Sequence, residues 1–193
     1  MKLMNTFLDR KKIDIVFIDW FGVLSTSYFW CVQSKKNMLL KEWCNFVFND
    51  SEIFNDWMRG KYSLEYLTQF GVEVNEDLLV KSFLKDMKYY KPDYKFLKSV
   101  KELFPNAKKI LVTDNMLIFD YILKEYTYLN SYFDKMYLSY EIGMLKNDTP
   151  KSMFDYILND LGLTNFENCL LIDDNSINCQ NFNDKNGRTI FIK

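Results

Sequence analysis

The sequence predicts an α/β protein built on a doubly wound parallel sheet, with an all-helical segment inserted after the first strand. From residue 92 to the C-terminus, short apolar runs of strand length alternate with amphipathic helical patterns. Such apolar runs are typical of strands buried on both faces of a parallel sheet. Residues 25–91 interrupt this alternation, because they show helical spacing and no convincing strand. We therefore predict a Rossmann-like unit from residues 1–24 and 92–193 and a small helical unit from residues 25–91.

Composition excludes several classes of function. The 193 residues carry a net charge of −1 with both signs interspersed, so we expect neither nucleic acid nor membrane as a partner. The absence of histidine excludes every mechanism that uses a histidine base, nucleophile or zinc ligand. The four cysteines form no C-x-x-C pair, and Met1 to Lys12 contain no apolar signal segment. We expect a soluble cytoplasmic protein with reduced thiols, whose oligomeric state the sequence does not determine.

The first strand is predicted over residues 13–18, where a nearly continuous apolar run ends at Asp19. Gly22 follows three residues later and allows the chain to turn back sharply over the strand end. Ligands of open α/β sheets bind outside the carboxyl ends of the strands. Asp19 is therefore placed where a catalytic carboxylate is expected.

Helical start and stop signals divide the segment that follows. Leu39, Trp43, Phe46 and Val47 recur at helical spacing. Ser63 is a predicted N-cap for a helix that is closed by Gly71, and Asn75 is a predicted N-cap for the next helix, which carries an apolar face.

The alternating part of the chain contains four further predicted strands, at residues 109–113, 133–139, 169–172 and 188–192. Helices are predicted at residues 96–104, around 118–125 and over 177–182. A fourth helix is predicted to begin at Thr149 and Pro150, as N-cap and first helical residue, and to stop at Gly162.

Polar side chains follow the first four strands, and parallel topology places them all on one edge of the sheet. These residues are Asp19, Thr113, Asp114, Asn115, Lys146, Asp173 and Asp174. Three crowded carboxylates are unfavourable unless they share a cation, and hard oxygen ligands favour Mg²⁺. Lys146 supplies a point charge for a phosphate, and Thr113 supplies a hydroxyl. Together they predict a site for an anionic substrate with an aspartate nucleophile.

Each of these residues also has a purely structural interpretation. The run Asp173-Asp174-Asn175 could cap the following helix, Lys146 could be solvated, and Thr113 could simply suit a strand. Their joint order along one βα pattern favours the functional interpretation.

The chain resembles the haloacid dehalogenase (HAD) superfamily of hydrolases with a small helical, C1-type cap. Residues 17–24, Phe-Ile-Asp-Trp-Phe-Gly-Val-Leu, resemble the first motif, whose leading aspartate, Asp19 here, is the nucleophile. Residues 111–113 resemble the second motif, Lys146 the third-motif lysine, and residues 171–174 the acidic fourth motif. Asn147 stands where relatives often have proline.

The resemblance implies a Mg²⁺ ion held by Asp19, the backbone carbonyl of Phe21 and the fourth-motif acids, with Asp174 as direct ligand and Asp173 as support. It also implies that Thr113, Asp114, Asn115 and Lys146 bind substrate and that residues 25–91 form a cap. Arg59, the only arginine in that segment, is a candidate for recognising the substrate. The expected substrate is a small phosphorylated metabolite.

The sequence departs from the family pattern at Phe21, where phosphatases of the family carry a second aspartate that acts as general acid and base. Phenylalanine cannot transfer a proton, and positioned acid–base catalysis typically contributes about 10²–10⁴-fold. Three possibilities follow: a slow or specialised phosphatase, a dehalogenase-like hydrolase whose halide leaves without a proton, or a non-catalytic protein that binds through the same site.

Overall fold

The computed structural model describes residues 12–193, so residues 1–11 of the predicted segment 1–24 lie outside the described residues. Five strands form one sheet, in the order β3-β2-β1-β4-β5, and every neighbouring pair is parallel. The strands are β1 Ile15–Ile18, β2 Lys108–Thr113, β3 Lys135–Leu138, β4 Cys169–Asp173 and β5 Arg188–Phe191. The predicted doubly wound parallel sheet is confirmed.

Ten α-helices surround this sheet within the described part of the chain. Four precede β2 in the helical segment: α1 Met38–Asn49, α2 Ser51–Met58, α3 Leu64–Leu67 and α4 Glu76–Asp86. The others are α5 Tyr94–Leu103, α6 Asp120–Glu125, α7 Leu129–Tyr132, α8 Ser139–Ile142, α9 Met153–Asp160 and α10 Ser176–Asn183. Short 3₁₀ turns cover Met87–Tyr89 and Leu117–Phe119. None of these helices is long and apolar enough to cross a membrane.

Strand β1 is buried along its whole length because successive side chains enter two different cores. Val16 and Ile18 join the larger core, to which α5, α6 and the helical segment contribute. Ile15 and Phe17 join the smaller core under α9 and α10. The sheet is therefore covered on both faces, which explains why its strands appear in the sequence as continuous apolar runs.

The helical segment, residues 25–91, contains no named strand in the structure, and its helix starts agree with local capping chemistry. Ser63 accepts a hydrogen bond from the Tyr66 amide and Asn75 accepts one from the Leu78 amide, so both predicted N-caps are confirmed. The buried indoles of Trp30 and Trp43 lie 5.3 Å apart, centroid to centroid, at the centre of this segment. Its core is continuous with the larger core of the sheet.

The predicted start of the helix at Thr149 and Pro150 is wrong. Helix α9 begins at Met153, and its N-cap is Ser152, which forms a capping box with Asp155. The Asp155 carboxylate accepts hydrogen bonds from the Ser152 amide and hydroxyl at 2.8 and 3.0 Å. A reciprocal cap satisfies two free backbone donors, and this defines the first turn more strongly than a threonine followed by proline.

Candidate active site

Asp19 lies at the carboxyl end of the central strand β1, between the ends of β2 and β4. Its amide continues the sheet pairing by donating to the Ile172 carbonyl at 3.0 Å, so the Asp19 backbone is fixed by the sheet. The strand order makes β1 the point where the chain winds in opposite directions, which is where α/β sheets open a crevice for ligands. The side chain is buried, and its Oδ1 also accepts the Trp20 amide at 2.7 Å.

Lys146 connects Asp19 to the neighbouring strand end. Its Nζ lies 2.9 Å from Asp19 Oδ1 and 2.7 Å from Asp173 Oδ2, and the residue is 1% exposed. Burial lowers the pKa of Lys146, but the charges of Asp19, Asp173 and Asp114 outweigh burial and raise that pKa above its ordinary value. The charged ammonium form of Lys146 is therefore favoured at the floor of the site.

Asp173 is held by several donors and has little freedom to move. Besides Lys146, its carboxylate accepts the Asn175 amide at 2.8 Å and the side-chain amide of Asn178 at 3.3 Å. Asn175 is also the N-cap of α10, accepting the amides of Ile177 and Asn178. The helix-capping interpretation of this motif is thus correct for Asn175, while Asp173 faces the site.

Three carboxylates meet at this edge of the sheet. Oxygen atoms of Asp19, Asp173 and Asp174 all lie within 4.8 Å of one another, an arrangement that could hold a metal ion. Burial raises the pKa of Asp19; Lys146 lowers it, and the Asp173 carboxylate raises it further. Burial and Asp173 likewise raise the pKa of the more exposed Asp174. A shared cation would relieve this crowding of like charges.

Gly22 makes the approach of Asp174 possible. The glycine has a φ of 71°, and a Cβ built there would lie 1.8 Å from Asp174 Oδ2. No other residue type fits this position without displacing the carboxylate. The turn after β1 therefore packs directly against the acidic end of β4.

The three polar residues after β2 have different positions. Asp114 lines the cavity described below and accepts the Lys146 amide at 3.0 Å, and burial raises its pKa to about 6 despite the nearby lysine charge. Thr113 and Asn115 are buried, and the Asn115 side-chain amide donates to the Thr113 hydroxyl oxygen at 3.3 Å. The backbone of Asn115 is fixed by Ser139 Oγ at 2.8 Å. Asp114 and Lys146 thus belong directly to the site, whereas Thr113 and Asn115 lie behind it.

A cavity of about 820 Å³ opens above Asp19, between the sheet edge and the helical segment. Its floor includes Asp19, Lys146 and Asp174, and its wall nearest Asp19 is aromatic. Phe21 stacks on Tyr28 at 6.0 Å and meets Phe29 edge-on at 5.0 Å between ring centroids. The residue that breaks the sequence pattern is therefore part of an apolar wall.

Arg59 has a different set of partners from the substrate contact expected from the sequence. Its Nε donates to Asp148 Oδ2 at 3.0 Å, its Nη2 contacts Asp148 Oδ1, and its Nη1 lies 3.0 Å from Asp56 Oδ1. Arg59 does not line the cavity. It joins the end of α2 to the loop that carries Lys146.

Sequence reasoning did not identify Asn178 or Asp148 as parts of the site. Asn178 lies one helical turn beyond the N-cap Asn175, so its spacing on α10 was a usable signal. Asp148 follows Lys146 by two residues, but nothing in its local sequence indicates that it pairs with Arg59.

Comparisons with known proteins agree with this architecture. No protein-family model matches the sequence, and no curated protein matches it. Among solved structures, a HAD family enzyme of Bacteroides thetaiotaomicron, BT-2542, in a magnesium complex has a TM-score of 0.73 at 20% identity, with 94% of each chain covered. The same enzyme in complex with magnesium and inorganic phosphate gives a TM-score of 0.70.

Two further structures extend this comparison. A predicted HAD-like family hydrolase of Porphyromonas gingivalis has a TM-score of 0.67 at 19% identity, covering 93% of this chain and 91% of that one. L-2-haloacid dehalogenase of Xanthobacter autotrophicus, with chloropropionic acid covalently bound, has a TM-score of 0.61 at 14% identity, covering 92% and 76%. The chain therefore has the HAD-like fold, as the sequence motifs predicted.

Proposed function

We propose that this chain is a HAD superfamily hydrolase that acts on small phosphorylated metabolites, with Asp19 as nucleophile and Mg²⁺ as cofactor. The observation that carries this proposal is the contact between Asp19 and the buried Lys146 ammonium, 2.9 Å apart at the floor of a large cavity. The structural similarity to an enzyme in complex with magnesium and inorganic phosphate supports it.

The donor set fits a magnesium ion. Asp19, Asp174 and the carbonyl of Phe21 would hold it, and Asp173, already bound by Lys146 and Asn178, would support it. When bound, Mg²⁺ supplies positive charge that stabilises phosphoryl oxygens and relieves repulsion among the carboxylates. Gly22 leaves the space that Asp174 needs to approach Asp19.

The roles of the chain's own residues follow from their positions. An oxygen of Asp19 attacks phosphorus, because the sheet holds this carboxylate at the cavity floor. Lys146 binds a phosphoryl oxygen while its contact with Asp19 orients the nucleophile. Asp114 fixes the Lys146 backbone, and Thr113 with Asn115 completes the polar floor behind it.

The helical segment, residues 25–91, would act as a cap over a core formed by residues 1–24 and 92–193. It supplies Tyr28, Phe29, Phe48, Phe54 and Met58 to the cavity, so substrate bound at Asp19 would be enclosed between the two parts. Such enclosure excludes water and strengthens electrostatic interactions at the reacting atoms. Arg59 would contribute by holding this segment against Asp148 rather than by contacting substrate.

A dehalogenase-like reaction is the second candidate, and the apolar ring of Phe21 beside the nucleophile favours it. A halide leaves without a proton, so an aromatic residue at this position costs that chemistry nothing. Against it, no arginine is among the described residues that line the cavity, and a haloacid carboxylate would have to rely on Lys146 or Lys35.

The two candidates are separated by assaying 4-nitrophenyl phosphate and 2-chloropropionate with and without Mg²⁺. We expect phosphate release from 4-nitrophenyl phosphate by the wild type that disappears in Asp19→Asn and after chelation. Phe21→Asp should change this release little, because a nitrophenoxide leaves without the proton that a restored acid would supply. Asp77→Asn, on the exposed face of α4, is the control and should match wild type.

Each alternative outcome has a distinct meaning. Chloride release that depends on Asp19 but not on Mg²⁺ would establish the dehalogenase. Binding of inorganic phosphate with no turnover in any variant would favour a non-catalytic binding protein.

A further inference from the structure

We infer that the substrate is an aryl phosphate, a phosphate ester of a phenol, whose ring binds against the aromatic wall formed by Phe21, Tyr28 and Phe29. This inference rests on the proposed function and specifies its substrate class. Two observations carry it. The wall beside the nucleophile is aromatic, and the carboxyl groups that line the cavity already have partners or roles.

The wall offers ring faces close to the nucleophile. Phe21 is two residues from Asp19 and only partly buried, and Tyr28 is 77% exposed although its ring stacks on Phe21 with an interplanar angle of 23°. Phe29 is buried behind them and supports Phe21 edge-on. An exposed aromatic ring at a cavity wall is favourably covered by another planar ring, because offset stacking adds to the burial of apolar area.

The acidic groups that line the cavity already have partners or roles. Within the described residues, the carboxyl groups of the cavity lining belong to Asp19, Asp114 and Asp174. Asp19 is the nucleophile, Asp174 belongs to the carboxylate trio, and Asp114 accepts the Lys146 amide. At position 21 the chain presents a phenyl ring, so no carboxyl group there can protonate a departing oxygen.

A leaving group that receives no proton must be stable as an anion. The hydroxyl of a phenol such as tyrosine has a pKa of about 10, whereas water, which aliphatic alcohols resemble, has a pKa of about 15.7. A phenol therefore leaves far more readily than an aliphatic alcohol. The same aromatic wall that occupies the place of the acid accommodates a class of alcohol that does not need it.

The reaction balances without a further reagent. Attack by an Asp19 carboxylate oxygen forms a bond to phosphorus and breaks the bond from phosphorus to the aryl oxygen, whose electron pair leaves with it as aryloxide. Water then adds to phosphorus, the bond to Asp19 breaks, and the carboxylate is regenerated. The proton of that water passes to the released phosphate or to solvent, where the aryloxide is protonated.

The test compares phenyl, benzyl and n-butyl phosphate on the full chain with Mg²⁺. Phenyl and benzyl phosphate both carry a ring, but benzyl alcohol is an aliphatic leaving group, so this pair isolates leaving-group acidity. We expect kcat/KM for phenyl phosphate to exceed that for benzyl phosphate by at least about 10²-fold, the range that a missing acid typically controls.

Variants of the wall test the ring contact separately. Phe21→Leu and Tyr28→Leu should each raise KM for phenyl phosphate by about two- to tenfold and leave KM for n-butyl phosphate unchanged. Tyr28→Phe keeps the ring and should behave as wild type. Tyr66→Leu, an exposed ring of α3 outside the cavity, is the matched control.

Three results would overturn the inference. Equal kcat/KM for all three esters would show that the enzyme does not need an acidic phenol as leaving group. The inference would then be wrong, but the proposed hydrolase function would still stand. Loss of turnover in Tyr28→Phe as large as in Tyr28→Leu would make the Tyr28 hydroxyl a proton donor. If no ester is turned over, and Asp19→Asn binds inorganic phosphate as the wild type does, the proposed function itself fails.

Discussion

Arg59 and Asp148 form a two-point ion pair that joins the end of α2 to the loop carrying Lys146. The Asp148 carboxylate also accepts the Leu145 amide at 2.9 Å, one residue before Lys146. Next to Arg59, a Cβ on Gly60 would lie 2.2 Å from the Tyr140 carbonyl, so the backbones of the two parts are in close contact here. The helical segment is thus fixed at the position that also fixes the backbone before Lys146.

Removing this pair should lower the stability of the protein. We expect Arg59→Gln to lower the free energy of unfolding by about 1–2 kcal/mol, because the pair is bidentate and largely shielded from water. Arg59→Lys should recover part of this loss. Urea titrations measure it, and Lys81→Gln, which removes the exposed pair with Asp77, is the control and should cost about 0.5 kcal/mol or less. Equal effects of the two glutamine variants would contradict the prediction.

The same pair gives a defined pH dependence. Burial raises the pKa of Asp148, but its hydrogen bond from Arg59 and the Leu145 amide outweigh burial and lower that pKa below 3.8. A carboxyl group whose pKa is lowered in the folded state stabilises the protein at every pH above its pKa in the unfolded state. This stabilisation is lost as the pH falls through its pKa in the folded state. The stability difference between wild type and Asp148→Asn should therefore be constant at neutral pH and shrink below about pH 4. A difference that grows on acidification would disprove this assignment.

Lys146→Met should be strongly destabilising in metal-free buffer. It leaves the buried carboxylates of Asp19 and Asp173 facing each other without a counter-charge, which typically costs about 3–5 kcal/mol. Adding Asp19→Asn to Lys146→Met removes one of the two charges and should restore part of the stability. Lys35→Met, at an exposed lysine of the cavity rim, serves as the control and should change it by about 0.5 kcal/mol or less. Additive effects of the two site substitutions would argue against their coupling.

Gly22→Ala should weaken Mg²⁺ binding, because the new Cβ would displace the Asp174 carboxylate. A misplaced ligand typically lowers metal affinity on the order of 10- to 100-fold. Gly143→Ala is the matched control, since Gly143 has a similar φ of 78° but no atom within 4 Å of the added Cβ. Both variants should lose about 1–2 kcal/mol of stability from the left-handed backbone. Calorimetric titration with Mg²⁺ should distinguish them, and equal affinities would contradict the assignment of Asp174.

Local chemistry allowed much of the fold to be predicted from the sequence. The apolar run before Asp19 indicated a strand buried on both faces, and two cores cover it because the strand is central. The caps at Ser63 and Asn75 depend only on residues three positions apart, so local sequence was sufficient for them. At Thr149 the same reasoning failed, because the stronger capping box lay three residues further along.

By itself, the sequence determined the order of elements and the side chains that meet at one sheet edge, because parallel strands bring their carboxyl ends together whatever their separation along the chain. Only the tertiary structure decided which of those groups touch. Arg59 pairs with Asp148 across 89 positions, and Asp174 reaches Asp19 only through the space left at Gly22. Such contacts depend on how separate elements pack, and no local pattern of residues encodes the distance between them.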